Sequence, residues 1–258
     1  MVGVDAVAQS DDALFELALR MGDNTLILGQ QISAWCGHAP ILEEDIALAN
    51  TALDLIGQTK LWLELAGEVE GKGRGADELA FLRDARGFKN ALLVEQPNGD
   101  FGQTLMRQFL FDAWHSPMLT ALKASADKRV ADIAEKSAKE AAYHVERSAD
   151  LVVRLGDGSD ESHLRMQNAL DVLWPFAGEL TQADETDKAL ADRGLAPDLA
   201  EIEKQYTDRV GPVLREATLT PPDAAVRAGG KSGMHSEGLG YILADMQWLQ
   251  RAYPGAQW

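Results

Sequence analysis

Two pairs of side chains in this sequence have the types that metal chemistry needs: Asp112 and His115, three apart in FDAWH, and Glu140 and His144, four apart in KEAAYH. Carboxylates and imidazoles together hold iron. Helical bundles that bind two irons take a Glu from each of two helices and a Glu-x-x-His from each of the other two. Asp112-x-x-His115 is close to that pattern. On the second segment the residue three before His144 is Ala141, and Glu140 lies about 100° round the helix from it. Asp54 is followed three residues later by Gly57, where the pattern needs histidine.

The chemistry such a set would perform is dioxygen activation at a carboxylate-bridged metal pair, and the ligand count falls short of it. The first long helical segment presents Met21, Thr25 and Leu28 at the centre of its inward face and no carboxylate. The expectation is a vacated site without metal. Asp54, Gln108, Asp112, His115, Glu140 and His144 would form a polar layer at mid-height and hydrogen-bond one another, as buried polar groups must. The alternative is an oxygenase or oxidase active in its own right, with Asp54, Asp112, His115, Glu140 and His144 as ligands.

Helical periodicity dominates the elements that must position these residues, and nothing reads as a paired strand. Long helices are expected at about 12–35, 42–66, 100–124 and 128–155, with a shorter helical piece at 79–94 and further helices at 161–180, 197–215 and 237–251. On the second long helix the four-three spacing of Leu42, Ile46, Ala49, Leu53 and Ile56 marks the apolar face, beside a more polar stripe of Ala47, Asn50, Asp54, Gly57 and Gln58. The third carries Leu105, Gln108, Asp112, His115 and Leu119 on one stripe, and the fourth carries Ala134, Ser137, Ala141, His144 and Ser148. Apolar ends and a polar middle recur. Pro117 should kink the third helix. The expectation is an all-α four-helix bundle with additional C-terminal helices, a single domain over 1–258 in which residues 1–12 are a disordered extension.

Composition narrows the partners. The chain has 258 residues, 46% hydrophobic and 25% charged, with 41 acidic and 24 basic residues and a net charge of −17. That charge repels phosphate backbones and anionic lipid surfaces, which argues against nucleic acid and membrane as partners. One cysteine, Cys36, excludes an internal disulfide. With no basic, apolar leader pattern at the N-terminus, the expected location is the cytoplasm.

GGKSG at 229–233 lacks the upstream glycine and strand of a phosphate loop, since Ala225 stands where that glycine belongs. Arg83, Arg86 and Lys89 recur every third residue, followed by Asn90, and would put three cations on one side of a short helix. That patch could receive a phosphate or serve as a solvated face. His38 in WCGHAP reads as a turn histidine bonded to backbone. The last helix groups Leu239, Ile242, Leu243, Met246 and Leu249 on one face, with Tyr241, Trp248 and Tyr253 nearby as interface anchors or core.

WCGHAP, LALANTALDLIGQ, LLVEQPNGDF, FDAWH, KEAAYH, ADETD, GGKSGMHSEGLG and LADMQWLQR, in this order, resemble the C-subunit family of bacterial phenylacetyl-CoA epoxidases. The resemblance covers nearly the whole chain from about Leu17 and implies a ferritin-like fold. It implies a non-catalytic structural subunit that binds no cofactor and supports a homologous di-iron A subunit in phenylacetate catabolism. A small B subunit and a flavin and iron–sulfur reductase would complete the system. Because that family's substrate is a CoA thioester, the resemblance makes Arg83, Arg86, Gly87, Phe88, Lys89 and Asn90 candidate CoA contacts, with Lys188, Ala189 and Leu190 as a second set.

Overall fold

The computed structural model describes residues 3–256, with side chains from residue 12 onward. Two antiparallel helix pairs build the core: α1 (Gly3–Ser33) with α2 (Leu42–Glu70), and α4 (Phe101–Leu122) with α5 (Lys128–Gly156). Between them lie the short α3 (Ala76–Phe81) and two 3-10 turns, Ala85–Gly87 and Leu92–Glu95. Helices α6 (Asp160–Ala177) and α8 (Leu199–Glu216) cover α4, and α7 (Glu185–Asp192) and α9 (Glu237–Ala252) pack against α1. No strand occurs among the described residues. The all-α bundle with added C-terminal helices is the architecture found.

Local chemistry sets the helix limits. Asp100 and Asp127 cap α4 and α5 by accepting from Gln103 N (2.9 Å) and Arg129 N (2.8 Å), and Gly71, at φ 68°, ends α2. Such caps satisfy the backbone donors that a helix start leaves open. α1 and α2 approach closely at Gly22, where a Cβ would lie 2.8 Å from Leu63 Cδ2. α4 is enclosed on nearly all sides and continues through Pro117 to Leu122. Trp62, Phe109 and Phe111 are fully buried. Each such side chain stabilises the fold by about 1.5–3 kcal/mol.

Three expectations need correction. The stripe Leu42, Ile46, Leu53 and Ile56 is not the buried face of α2: these residues are 69%, 52%, 70% and 37% exposed. The buried face is Leu48, Ala52, Leu55, Thr59, Trp62 and Ala66. α2 carries apolar residues on both sides, and the larger set, which includes Trp62, packs inward. The expected helix at 79–94 ends at Phe81, because Arg83 turns inward to Asp23 of α1. Periodicity does not reveal α7, although Asp184 and Asp187 form a reciprocal cap at its start (Asp187 N to Asp184 Oδ1, 3.0 Å). α1 begins at Gly3 and not near Asp12; of the extension expected over residues 1–12, residues 1 and 2 and the side chains of 3–11 lie outside the described residues.

The outer face of α1 is polar and buried. Arg83 donates to Asp23 Oδ2 at 3.0 Å and stacks on the Phe88 ring, 4.2 Å from its centroid. Lys89 N donates to the same Asp23 oxygen at 2.8 Å, and Ala91 N donates to Asn24 Oδ1 at 3.0 Å. Arg20 reaches Asp184 Oδ2 at 2.7 Å. Asp23 is fully buried and Arg83 is 7% exposed. Asp23→Ala strands a buried guanidinium and should cost about 3–5 kcal/mol in a urea-unfolding measurement; a loss under 1 kcal/mol would show that the pair contributes little.

Candidate functional site

At mid-height the bundle helices present Thr25 and Leu28 (α1), Leu55 and Gln58 (α2), Asp112 and His115 (α4), and Ala141 and His144 (α5), all buried. On α2 the inward positions are Leu55-x-x-Gln58. Asp54 sits at the edge with a side chain 37% exposed, and Gly57 faces out, so the reading of Asp54-x-x-Gly57 as the inward pair is off by one residue. Thr25 Oγ1 meets Thr59 Oγ1 at 2.8 Å, bridging α1 to α2 where a bundle carboxylate would otherwise stand.

The polar layer divides into separate bonds. Asp112 accepts from Gln108 Nε2 at 2.6 Å and from Ser148 Oγ at 2.9 Å. His144 Nε2 lies 2.9 Å from Asp54 Oδ2, and Gln58 Nε2 donates to Glu140 Oε2 at 2.9 Å. His115 is fully buried and neither of its ring nitrogens has a protein partner. Its ring lies 4.8 Å from Phe111 and stacks on Trp114 at 5.9 Å. The expected six-residue network is therefore three local pairings beside an isolated histidine. Helix spacing could not reveal this, because it does not fix the rotation of α4 relative to α5. Ser148 and Thr59, the partners that reasoning from titratable types passes over, are legible only as small polar residues on or beside the inward stripes.

Burial raises the Asp112 pKa to about 6, against the opposing effects of His144, Ser148 and Gln108. Burial, with the nearby His144, lowers that of His115 to about 3, so the ring is neutral at physiological pH. This donor set does not fit a pair of irons. Among the described residues no three His, Cys, Asp or Glu side chains are grouped to hold a metal ion.

The basic patch is not one exposed face. Arg83 is committed to Asp23, Asn90 is fully buried with its amide 3.2 Å from the Ala91 carbonyl, and Phe88 is buried beneath Arg83. Lys89 pairs with Glu16 at 3.4 Å, and Gly87 lies in the turn that accepts from Arg83 at 2.8 Å. Arg86 alone of the set is exposed. Lys188 is exposed and paired with Glu185 at 2.8 Å, Ala189 is exposed, and Leu190 is buried.

Several sequence motifs meet in one knot instead. Ser236 N donates to Glu95 Oε1 at 2.7 Å, His235 Nδ1 is 3.1 Å from Glu95 Oε2, and its Nε2 is 3.0 Å from the Phe88 carbonyl. Burial opposes charge on His235, but Glu95 and that carbonyl outweigh it and raise its pKa. Gly229 N donates to Glu179 Oε1 at 2.8 Å, and a Cβ on Gly230 would overlap the Asn90 carbonyl. The glycines of GGKSG thus serve close packing. His38 contacts the Cys36 carbonyl at 3.2 Å, as a turn histidine does.

Compared with known proteins, the sequence pattern of the family described as Phenylacetic acid catabolic protein matches residues 4–258. The chain is 49% identical over 241 residues to the C subunit of 1,2-phenylacetyl-CoA epoxidase from Escherichia coli (strain K12), covering 93% of this chain and 97% of that protein. No described helix is long and apolar enough to cross a membrane.

Two variants test the layer. Between pH 6.5 and 4 the unfolded chain takes up a proton at His115 that the folded chain does not, so this group lowers stability as pH falls. Asp112, with its raised pKa, does the reverse between about 4 and 6 and partly offsets the loss. Asp112→Asn should therefore lose stability on acidification more steeply than wild type, by roughly 2–3 kcal/mol between pH 6.5 and 4 in denaturant titrations. His115→Phe removes two buried polar atoms without partners and should be neutral or stabilising by about 1–2 kcal/mol in thermal unfolding; a loss above 2 kcal/mol would give the ring a structural role.

Proposed function

The chain belongs to the phenylacetic acid catabolic protein family, and from that premise we propose that it is a non-catalytic subunit of a cytoplasmic phenylacetyl-CoA epoxidase. It holds no metal of its own and supports a homologous di-iron subunit, with a small third subunit and a flavin and iron–sulfur reductase completing the system. The observation that carries this reading is the mid-height layer. Thr25, Leu55 and Ala141 occupy inward positions on three of the four bundle helices, and the remaining carboxylates already accept hydrogen bonds from neighbours.

The proposed mechanism is mechanical. A bundle whose core is closed by Thr25–Thr59 and Asp112–Ser148 resists deformation, and docking it against a second bundle would limit the motion of helices that carry ligands there. Thioester recognition is assigned to the partner. Of the candidate CoA contacts, Arg83 and Asn90 are buried and internally bonded, which leaves Arg86 and the 188–189 pair as the exposed surface.

Anaerobic loading with ferrous iron, followed by metal analysis of the chain alone and of the chain copurified with its di-iron partner, tests the proposal. The isolated chain should retain iron near zero and the complex should hold it. Two irons per isolated chain, with oxygen consumption, would instead make it an oxygenase in its own right.

A further inference from the structure

The buried side of α2 accounts for only one of its two apolar stripes. Leu42, Ile46, Leu53 and Ile56, with Ala49 between them, follow a four-three-four-three spacing, and the four large residues stand 69%, 52%, 70% and 37% exposed. Ile41, 54% exposed, extends the stripe at the helix start. From Leu42 to Ile56 it runs about 21 Å at 1.5 Å per residue. Solvent-facing helix surfaces are ordinarily polar, and contiguous apolar patches of this size mark interaction sites. A spacing that averages 3.5 residues is the seam that receives the side chains of another helix, knobs into holes.

Charge identifies the kind of partner. The first turn of α2 carries Glu43, Glu44 and Asp45 beside Leu42 and Ile46. Glu44 is paired with Arg147, Asp45 accepts from Gly37 N at 2.8 Å, and Glu43 is exposed with no ionic partner among the described residues. The helix's basic residue, Lys60, already faces Glu64 at 3.7 Å. Two copies of a chain with net charge −17 would bring acidic surface to acidic surface. A different chain, offering an apolar helix flanked by lysine or arginine, fits both the seam and its charge.

We infer that the outer stripe of α2 is the surface on which this chain receives an amphipathic, basic-flanked helix of the epoxidase's di-iron subunit. This rests on the proposed function above and adds the place and chemistry of the contact. It also places Asp54, the partly exposed partner of buried His144, at the edge of that interface, so that docking would cover it.

The test is association of the full chain with its co-expressed di-iron subunit, followed by analytical ultracentrifugation and titration calorimetry. The double variant Ile46→Glu/Leu53→Glu alters exposed positions only and should keep the wild-type circular dichroism and melting temperature. Its affinity for the partner should fall at least 100-fold. Leu164→Glu, at a residue 59% exposed on α6, should bind as wild type does. If wild type binds the partner and the double variant binds equally well, the stripe is not the interface, while the proposed function stands. If wild type binds no di-iron subunit at all, the proposed function itself fails. If wild type self-associates through the stripe and the double variant is monomeric, a second copy covers this face and the inference is overturned.

Discussion

Helix α1 must be buried on two sides at once, and most of the structure follows from how its sequence meets that demand. One side, Met21, Thr25 and Leu28, is the inner wall of the bundle. The other, Arg20, Asp23 and Asn24, is polar yet almost fully covered. A buried polar helix face is stable only when its groups find partners. Arg83, the backbone at Lys89 and Ala91, and Asp184 and Asp187 of α7 supply them. Without those bonds the segment from 83 to 91 and α7 would lose their specific attachment to α1.

The same logic accounts for other buried polar groups away from α1. Glu95 is fully buried and saturated by Ser236 N, His235 and Asn90, so a carboxylate and a histidine that could have served catalysis close the chain onto itself. Arg107, fully buried, ties the turn at Gln96–Asn98 to α4 through the Gln96 carbonyl and the Asn98 side chain, and burial lowers its pKa to about 9. Polar groups here fix the positions of loops. The mid-height layer is the exception: Asp112 is held by neutral donors, and His115 packs among aromatic rings. That environment favours uncharged groups, where a metal pair would require anionic ones.

The long helices were legible because their periodicity is strong and their caps are local: Asp100 and Asp127 are read from a few residues of sequence. The inward faces of α1, α4 and α5 were legible for the same reason. α2 was not, since both of its sides are apolar and periodicity cannot rank them. Nor was the fate of Arg83, whose partner lies 60 positions away. A recurrence of Arg, Arg and Lys every third residue describes a helix face only if the helix continues, and here it ends at Phe81.

The sequence by itself determined the helical class, the number and approximate limits of the long helices, and the residue types on the inward stripes of α1 and α5, where Thr25 and Ala141 stand and no carboxylate can. Tertiary structure decided what spacing leaves open, which is the rotation of each helix about its own axis. That rotation turns Gln58 in and Asp54 to the edge, sets Asp112 against Ser148 of α5, and leaves Leu42, Ile46 and Leu53 in solvent. The physical reason is that a helix side chain reaches only one direction, and which direction is occupied depends on neighbours far away in the chain.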